Sequence, residues 1–183
     1  AEVTDIAYAA RLQADSTMLS GETAGGVYPM KAVAAMDKVL RKCELIEPTY
    51  DLLVDPLVET TDIDLPRAEQ ALAASVLASK LNADALFVIS KHGRTAKAVS
   101  NCRPLVPIHA FTETEDSQRR LALVWGVIGH CIKFSNNPDQ TIAAAIALGK
   151  KEGFLKKGQR IVAVSDIRAS DERVMTIQIR TIA

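Results

Sequence analysis

The chain has 183 residues, about half of them apolar, and its 22 basic and 22 acidic side chains give a formal net charge of zero. This length allows one sizeable hydrophobic core, or one domain with a piece of another. Because charge is balanced and no apolar run approaches the roughly 20 residues that span a bilayer, the composition predicts a globular protein that binds neither nucleic acid nor membrane.

Residues 1 to 45 predict a helix, a strand and a second helix, which together form one unit of an α/β protein. The helical pattern covers residues 1 to 13, and the strand is predicted in STMLS, which ends at Ser20. A single strand has no sheet of its own, so this region predicts a remnant of a larger domain. The chain starts without Met and inside a helical pattern, which indicates a fragment or a processed chain.

The second helix of this region is predicted over residues 30 to 47, after Pro29, which suits a first helical turn. Apolar side chains recur there at helical spacing. We therefore expect the helix to bury one face, formed by Val33, Met36, Val39, Leu40 and Cys43.

Residues 46 to 65 contain two prolines and several acids without a clear period, which predicts a linker between domains. From residue 66 to 183 helices and strands alternate, which predicts a small doubly wound α/β domain with a mostly parallel sheet. The apolar runs ALFVIS and RIVAVS are typical of strands covered on both faces. The alternating segment VMTIQIRTI predicts an antiparallel edge strand with one wet face, its apolar side formed by Met175, Ile177 and Ile179.

The loop SKHGRT, residues 90 to 95, is the first candidate site. It follows a buried strand and runs straight into a helix, where backbone N–H groups face an anion beyond the sheet. Gly93 lets an anion approach the backbone, and hydroxyls or cations come from Ser90, Lys91, Arg94 and Thr95. The loop thus predicts a phosphate site. The alternative is a plain helix start, with Thr95 as its N-cap and the two cations solvated.

The segment MLSGETAGG is the second candidate, because Ser20 and Glu22 at a strand end suit a catalytic mouth. The alternative is a tight turn with Glu22 in an interface salt bridge. The three histidines are scattered and predict no metal site, and His109 within PIHAF is interpreted as structural. Trp125 is expected to serve core or domain packing.

The cysteines of the chain, Cys43, Cys102 and Cys131, lie far apart and follow no metal-ligand spacing. An odd number of separate cysteines is typical of reduced thiols. This pattern predicts a cytoplasmic protein without a disulfide.

Three segments, in this order, resemble the pyruvate kinase family: ADSTMLSGETAGGVYPMKAV, ALFVISKHGRTAKAVSNCRPLVPIHAFT and LVWGV. The first is similar to the last strand of the family's (β/α)8 barrel and the helix after it, and AEVTDIAYAA resembles the helix before that strand. The second is similar to the C-terminal regulatory domain. The resemblance implies that residues 1 to 45 end a barrel and that residues 66 to 183 form an allosteric and oligomerisation domain.

The resemblance further implies a cytoplasmic glycolytic enzyme that transfers phosphoryl from phosphoenolpyruvate to ADP, giving pyruvate and ATP, with Mg²⁺ and K⁺, as a homotetramer. It places the catalytic lysine, the metal ligands, the substrate-phosphate threonine and the lid domain upstream of the present residues. It places Ser20, a candidate for the proton relay, and Glu22 near the active site. We therefore expect this chain to bind no metal by itself and to be inactive alone.

By the same resemblance, the effector-phosphate site comprises Ser90, Lys91, His92, Gly93, Arg94 and Thr95, which match a loop that wraps a phosphate in fructose-bisphosphate-activated members. His92 stands where serine is frequent, and SDIRASDER stands where the family often has a glycine-rich loop between the last two strands. Its acids Asp166, Asp171 and Glu172 would repel a second phosphate, and Arg168 and Arg173 would partly offset them.

This departure from the family favours a sugar monophosphate or AMP, or no effector, over fructose bisphosphate. Two alternatives stay open for the whole chain. One is a free-standing phosphate-binding or interaction module descended from the regulatory domain. The other is a domain that serves only tetramer contacts.

Overall fold

A computed structural model of the chain describes residues 2–45, 64–169 and 172–183. It divides into two compact units, Ala1–Asp51 and Leu52–Ala183. The predicted linker at residues 46 to 65 lies outside the described residues except for its last two.

The first unit contains three helices, α1 (Glu2–Arg11), α2 (Gly21–Ala24) and α3 (Pro29–Cys43). The helix predictions around α1 and α3 are confirmed, but the predicted strand at residues 16 to 20 is wrong, since the described part of this unit contains no strand. A strand needs a neighbour to pair its backbone N–H and C=O groups, and residues 2–45 supply none.

The predicted buried face of α3 is also wrong. No residue of α3 is buried, and Val33 keeps 48% of its surface exposed. Met36, Val39, Leu40 and Cys43 are half-buried. An apolar helical stripe becomes buried only against another element, and α1 and α3 together are too small to enclose one.

The second unit alternates helices and strands in the predicted order. Its elements are α4 (Leu65–Lys80), β1 (Ala85–Ile89), α5 (Arg94–Asn101), β2 (Ile108–Thr112), α6 (Glu115–Arg120), a 3-10 turn (Leu121–Leu123), β3 (Val127–Cys131), α7 (Pro138–Glu152), β4 (Arg160–Ala169) and β5 (Glu172–Thr181).

The five strands form one sheet in the order β3-β2-β1-β4-β5. The first four are parallel to their neighbours, and β5 is an antiparallel edge strand paired with β4, as predicted. The segment SDIRASDER, which stands where the family often has a glycine-rich loop, belongs largely to the two strands. Strand pairing continues to Ala169 opposite Glu172.

The sheet separates two hydrophobic layers, because successive strand residues point to opposite faces. Leu86 and Val88 of β1 join a layer with α4 and α5, whereas Phe87 and Ile89 join a layer with α7. This confirms the doubly wound α/β fold. The predicted wet and dry faces of β5 are less distinct, because Ile179 is 51% exposed on its apolar side.

Candidate functional site

The loop SKHGRT lies at the point where the sheet reverses its strand order. It follows β1, the central strand, and leads into α5. From β1 the chain proceeds to β2 and β3 on one side, and then crosses to β4 on the other side of β1. In open α/β sheets, ligands bind outside the carboxyl ends of the strands at such a switch point. The loop therefore occupies the position that the fold favours for a ligand.

The inner half of the loop forms a closed turn. The Ser90 N–H donates to the Phe111 carbonyl (3.0 Å), and the Ser90 carbonyl accepts from the Gly93 N–H (3.2 Å). The Ser90 hydroxyl oxygen accepts from the Thr95 N–H (3.2 Å). Ser90 and Thr95 are 4% and 1% exposed. Two N–H groups expected to face an anion are thus already bonded, and both hydroxyl residues are interior.

The alternative interpretation of Thr95 as the N-cap is wrong in detail. Gly93 is the N-cap residue of α5, and Ser90 supplies the side-chain acceptor for the first turn. Gly93 has φ of +77°, and a Cβ there would lie 2.9 Å from Cδ2 of Leu121. Both the left-handed backbone and the close packing require glycine.

The outer half of the loop presents charge to solvent. Lys91, His92 and Arg94 are exposed, and so is Lys97 one turn into α5. The N-terminus of α5 adds the positive end of a helix dipole, and its first turn contains no acidic side chain that would offset it. Both features increase the positive potential around the loop. The structure brings the predicted residues together, with Ser90, Gly93 and Thr95 shaping the turn and the three exposed residues able to contact an anion.

Glu113 is a neighbour that the sequence analysis missed. Its Oε2 lies 2.9 Å from Nζ of Lys91. The register of the parallel strands β1 and β2 accounts for this contact. It sets Ile89 opposite Phe111, so the residues two positions later, Lys91 and Glu113, lie side by side just beyond the strand ends.

Gln70 of α4 is a second residue that was missed. Its Nε2 donates to the carbonyls of Ser165 (3.0 Å) and Thr176 (2.9 Å), whose hydroxyl oxygens lie 2.8 Å apart. Gln70 is buried, and its Oε1 has no hydrogen-bond partner within the described residues. Ser165 pairs with Ile89 at the carboxyl end of the sheet, so this polar cluster fixes α4 to β4 and β5 at the same edge as the loop.

The Ser20 and Glu22 candidate forms a capped turn. The Ser20 N–H donates to Oε2 of Glu22 (3.0 Å), and both residues are exposed. Hydrogen bonds from the N–H groups of Glu22 and Ser20 hold the pKa of the carboxyl below its usual range. A Cβ at Gly26 would lie 2.3 Å from the Glu22 carbonyl oxygen, which explains a glycine there. The contact that joins the two candidates therefore runs from the Ser20 backbone to the Glu22 carboxylate.

The prediction that the histidines are scattered is wrong for two of them, since His109 and His130 lie on adjacent strands. Nδ1 of His109 is 3.0 Å from Nε2 of His130, and Phe154 stacks on both rings. Burial, and secondly the charge of His130, lower the pKa of His109 to about 4. Burial also lowers the pKa of His130, against the opposing effect of Glu152. Both imidazoles are therefore neutral near pH 7, where one facing nitrogen can donate and the other accept the shared hydrogen bond.

Several absences apply to the part of the chain that is described. It contains no group of three His, Cys, Asp or Glu residues that could hold a metal ion, so these residues do not fit a Mg²⁺ site. No described helix has the length and apolar character to cross a membrane.

The remaining sequence predictions concern thiols and packing. The three cysteines are free thiols, as predicted, and burial raises the pKa of Cys102. Trp125 is half-buried, with the Arg103 guanidinium 5.0 Å from its ring centre. The Ser100 hydroxyl donates to the Trp125 carbonyl (2.6 Å), which fixes this tryptophan against the end of α5.

Comparison with known proteins identifies the family. Residues 68–179 match the family model described as "Pyruvate kinase, alpha/beta domain". The chain is 38% identical over 173 residues to the chloroplastic pyruvate kinase isozyme A of Ricinus communis, covering 93% of this chain and 30% of that protein. It is 33% identical over 186 residues to a pyruvate kinase of Dictyostelium discoideum, covering 97% and 37%.

Solved structures agree with the sequence relatives. A pyruvate kinase from Cryptosporidium parvum has a TM-score of 0.77 and 29% identity, covering 97% of this chain and 35% of that one. Another structure of the enzyme from that organism, in complex with ADP, has a TM-score of 0.74 and 30% identity. The chain spans about a third of the length of these relatives. It belongs to the pyruvate kinase family, and its described sheet has the fold of the family's C-terminal domain.

Proposed function

We propose that this chain is the regulatory C-terminal portion of a pyruvate kinase and that the loop at residues 90 to 95 binds the phosphate of an effector. The supporting observation is the position of the loop, at the switch point of the sheet and within the family domain. Lys91 and Arg94 supply charge, His92 supplies a ring N–H, and the start of α5 supplies its dipole. Ser90, Gly93 and Thr95 hold the turn.

For the whole protein we propose transfer of phosphoryl from phosphoenolpyruvate to ADP, with Mg²⁺ and K⁺, in a cytoplasmic homotetramer. At least four relatives have names that include chloroplastic, so the proposed cytoplasmic location rests on the cysteine pattern of this chain alone. Phosphoryl transfer requires metal ions and in-line positioning, and the described residues offer no three-ligand cluster. We therefore propose that residues outside this sequence supply the metal ligands and the catalytic lysine, with Ser20 and Glu22 at the edge of that active site.

The alternative of a free-standing module is disfavoured by residues 2–45. None of them is buried, and large apolar side chains are exposed there, including Tyr8, Met18, Val27, Tyr28 and Met30. A module selected to stand alone would not retain such a surface. We propose that the rest of a barrel covers it in the whole enzyme.

The phosphate proposal is tested by calorimetric titration of the chain with ribose 5-phosphate, AMP and fructose 1,6-bisphosphate. We expect the monophosphates to bind at least as well as the bisphosphate. We expect Arg94→Ala to weaken binding about tenfold, because it removes a charge-assisted hydrogen bond. The matched control is Arg119→Ala, which removes an exposed arginine of α6 that pairs with Glu115. Absence of binding, or equal effects of the two variants, would contradict the proposal.

The catalytic part of the proposal has a separate test. Incubation of the purified chain with phosphoenolpyruvate, ADP, Mg²⁺ and K⁺ is expected to give no ATP above a protein-free control. ATP formation that depends on the chain would show that these residues suffice for the reaction.

A further inference from the structure

We infer that Glu113 sets the phosphate affinity of the loop by competing with the ligand for Lys91. The inference rests on the proposed phosphate site and adds a regulator within the chain itself. The observation is the ion pair between Nζ of Lys91 and Oε2 of Glu113, at 2.9 Å. Of the two cationic side chains in the loop, Lys91 and Arg94, the lysine is therefore already paired with a carboxylate of the chain itself.

The backbone of Glu113 is fixed on both sides. The preceding residue, Thr112, is fully buried, and its hydroxyl donates to the carbonyls of Thr114 (3.1 Å) and His130 (3.3 Å). The following residue, Thr114, caps α6 by accepting from the Ser117 N–H (3.2 Å). The backbone that carries the Glu113 carboxylate is therefore held beside the loop.

Lys91 is the more exposed partner of the pair. Its side chain is 60% exposed, against 34% for Glu113. An exposed lysine–carboxylate pair is weak, because water screens the charges and a long flexible side chain must be immobilised. A phosphate can therefore displace Glu113 from Lys91, but it must do so against this contact and against direct repulsion by the carboxylate.

Arg94 provides the contrast within the same loop. It begins α5, whose first turn has no acidic residue. The ion pair of Glu113 is with Lys91. We therefore expect Glu113 to act on the lysine side of the site. Removing the charge of Glu113 should strengthen phosphate binding through Lys91.

The test is titration of the 183-residue chain with ribose 5-phosphate, comparing wild type with Glu113→Gln. We expect the variant to bind about twofold to fivefold more tightly, the size of one weak exposed charge interaction. Glu115→Gln is the matched control, because it makes the same charge change two residues away on a glutamate that pairs with Arg119 instead. We expect that control to change affinity less than twofold, in line with screening of exposed charges.

The role of Lys91 is tested by a double-mutant cycle. In a Lys91→Met background, Glu113→Gln should give a clearly smaller gain, since the competition is gone and only the carboxylate's direct repulsion is relieved. A gain as large as in wild type would overturn the competition mechanism. Equal affinities of wild type and Glu113→Gln, with clear binding to both, would overturn this inference and leave the phosphate site standing. Absence of binding to both proteins would overturn the phosphate site itself.

Discussion

Residues 2–45 and residues 64–183 both contain amphipathic helices, yet only the second region encloses a core. In the second region, β1 is buried along its whole length and α4, α5 and α7 cover the two faces of the sheet. In the first region, no described residue is buried. Helical pattern is common to both, so the difference lies in whether a sheet is present to receive the apolar faces. We therefore expect both the folding stability of this chain and its phosphate binding to depend on the second region.

The largest expected effect compares aromatic truncations in the two regions. Phe87 is fully buried between Phe111 and His109, whereas Tyr8 is mostly exposed. We expect Phe87→Ala to lower the free energy of unfolding by about 3–5 kcal/mol, because it removes buried area and leaves a cavity. Tyr8→Ala should change it by less than about 0.5 kcal/mol.

Urea denaturation followed by Trp125 fluorescence measures this difference, because the chain has a single tryptophan and it lies in the second region. A loss for Tyr8→Ala comparable to that for Phe87→Ala would show that the first region shares the core, and would break the contrast between the two regions.

A smaller effect compares two glycines of the second region that require glycine for different reasons. Gly93 and Gly153 have φ of +77° and +82°, but only Gly93 has a close neighbour, Leu121. Gly153→Ala should cost about 1 kcal/mol of unfolding free energy from backbone strain alone. Gly93→Ala should cost about 2–4 kcal/mol, since overpacking is added to the same strain. Equal losses in urea denaturation would mean that Leu121 yields without cost.

Much of the second region was predictable because its signals are local. The continuous apolar run 85 to 89 predicted β1, and the alternating run VMTIQIRTI predicted the antiparallel edge strand β5. The strand at residues 16 to 20 was predicted wrongly, because a local apolar pattern does not say whether a pairing partner exists. Glu113 and the His109–His130 pair were missed, because strand register, not sequence spacing, brings their contacts together. Gln70 was missed because its contacts depend on how α4 packs against β4 and β5.

The buried histidine pair gives a pH-dependent form of the same comparison. The pKa of His109 is lowered to about 4 in the folded chain. In the unfolded chain this imidazole has a pKa near 6.5, so the unfolded state binds more protons than the folded state between pH 4 and 6.5. The contribution of His109 to folding stability is therefore fully present above about pH 6.5 and is lost as pH falls towards 4. The loss should be on the order of 2 kcal/mol.

This acid loss is measured as the urea midpoint at pH 7, 6, 5 and 4. A double variant with His109→Leu and His130→Leu removes both titrating rings and should reduce the slope between pH 6.5 and 4. An unchanged slope in the double variant would assign the acid sensitivity to carboxylates elsewhere.

The most direct test of the central claim is to locate the ligand by amide chemical shifts of the ¹⁵N-labelled chain during titration with ribose 5-phosphate. We predict saturable shifts that are largest for the amides of residues 91 to 97 and small for residues 2–45. Shifts confined to residues 2–45, spread over surface lysines without saturation, or absent altogether would contradict an effector site at the loop after β1.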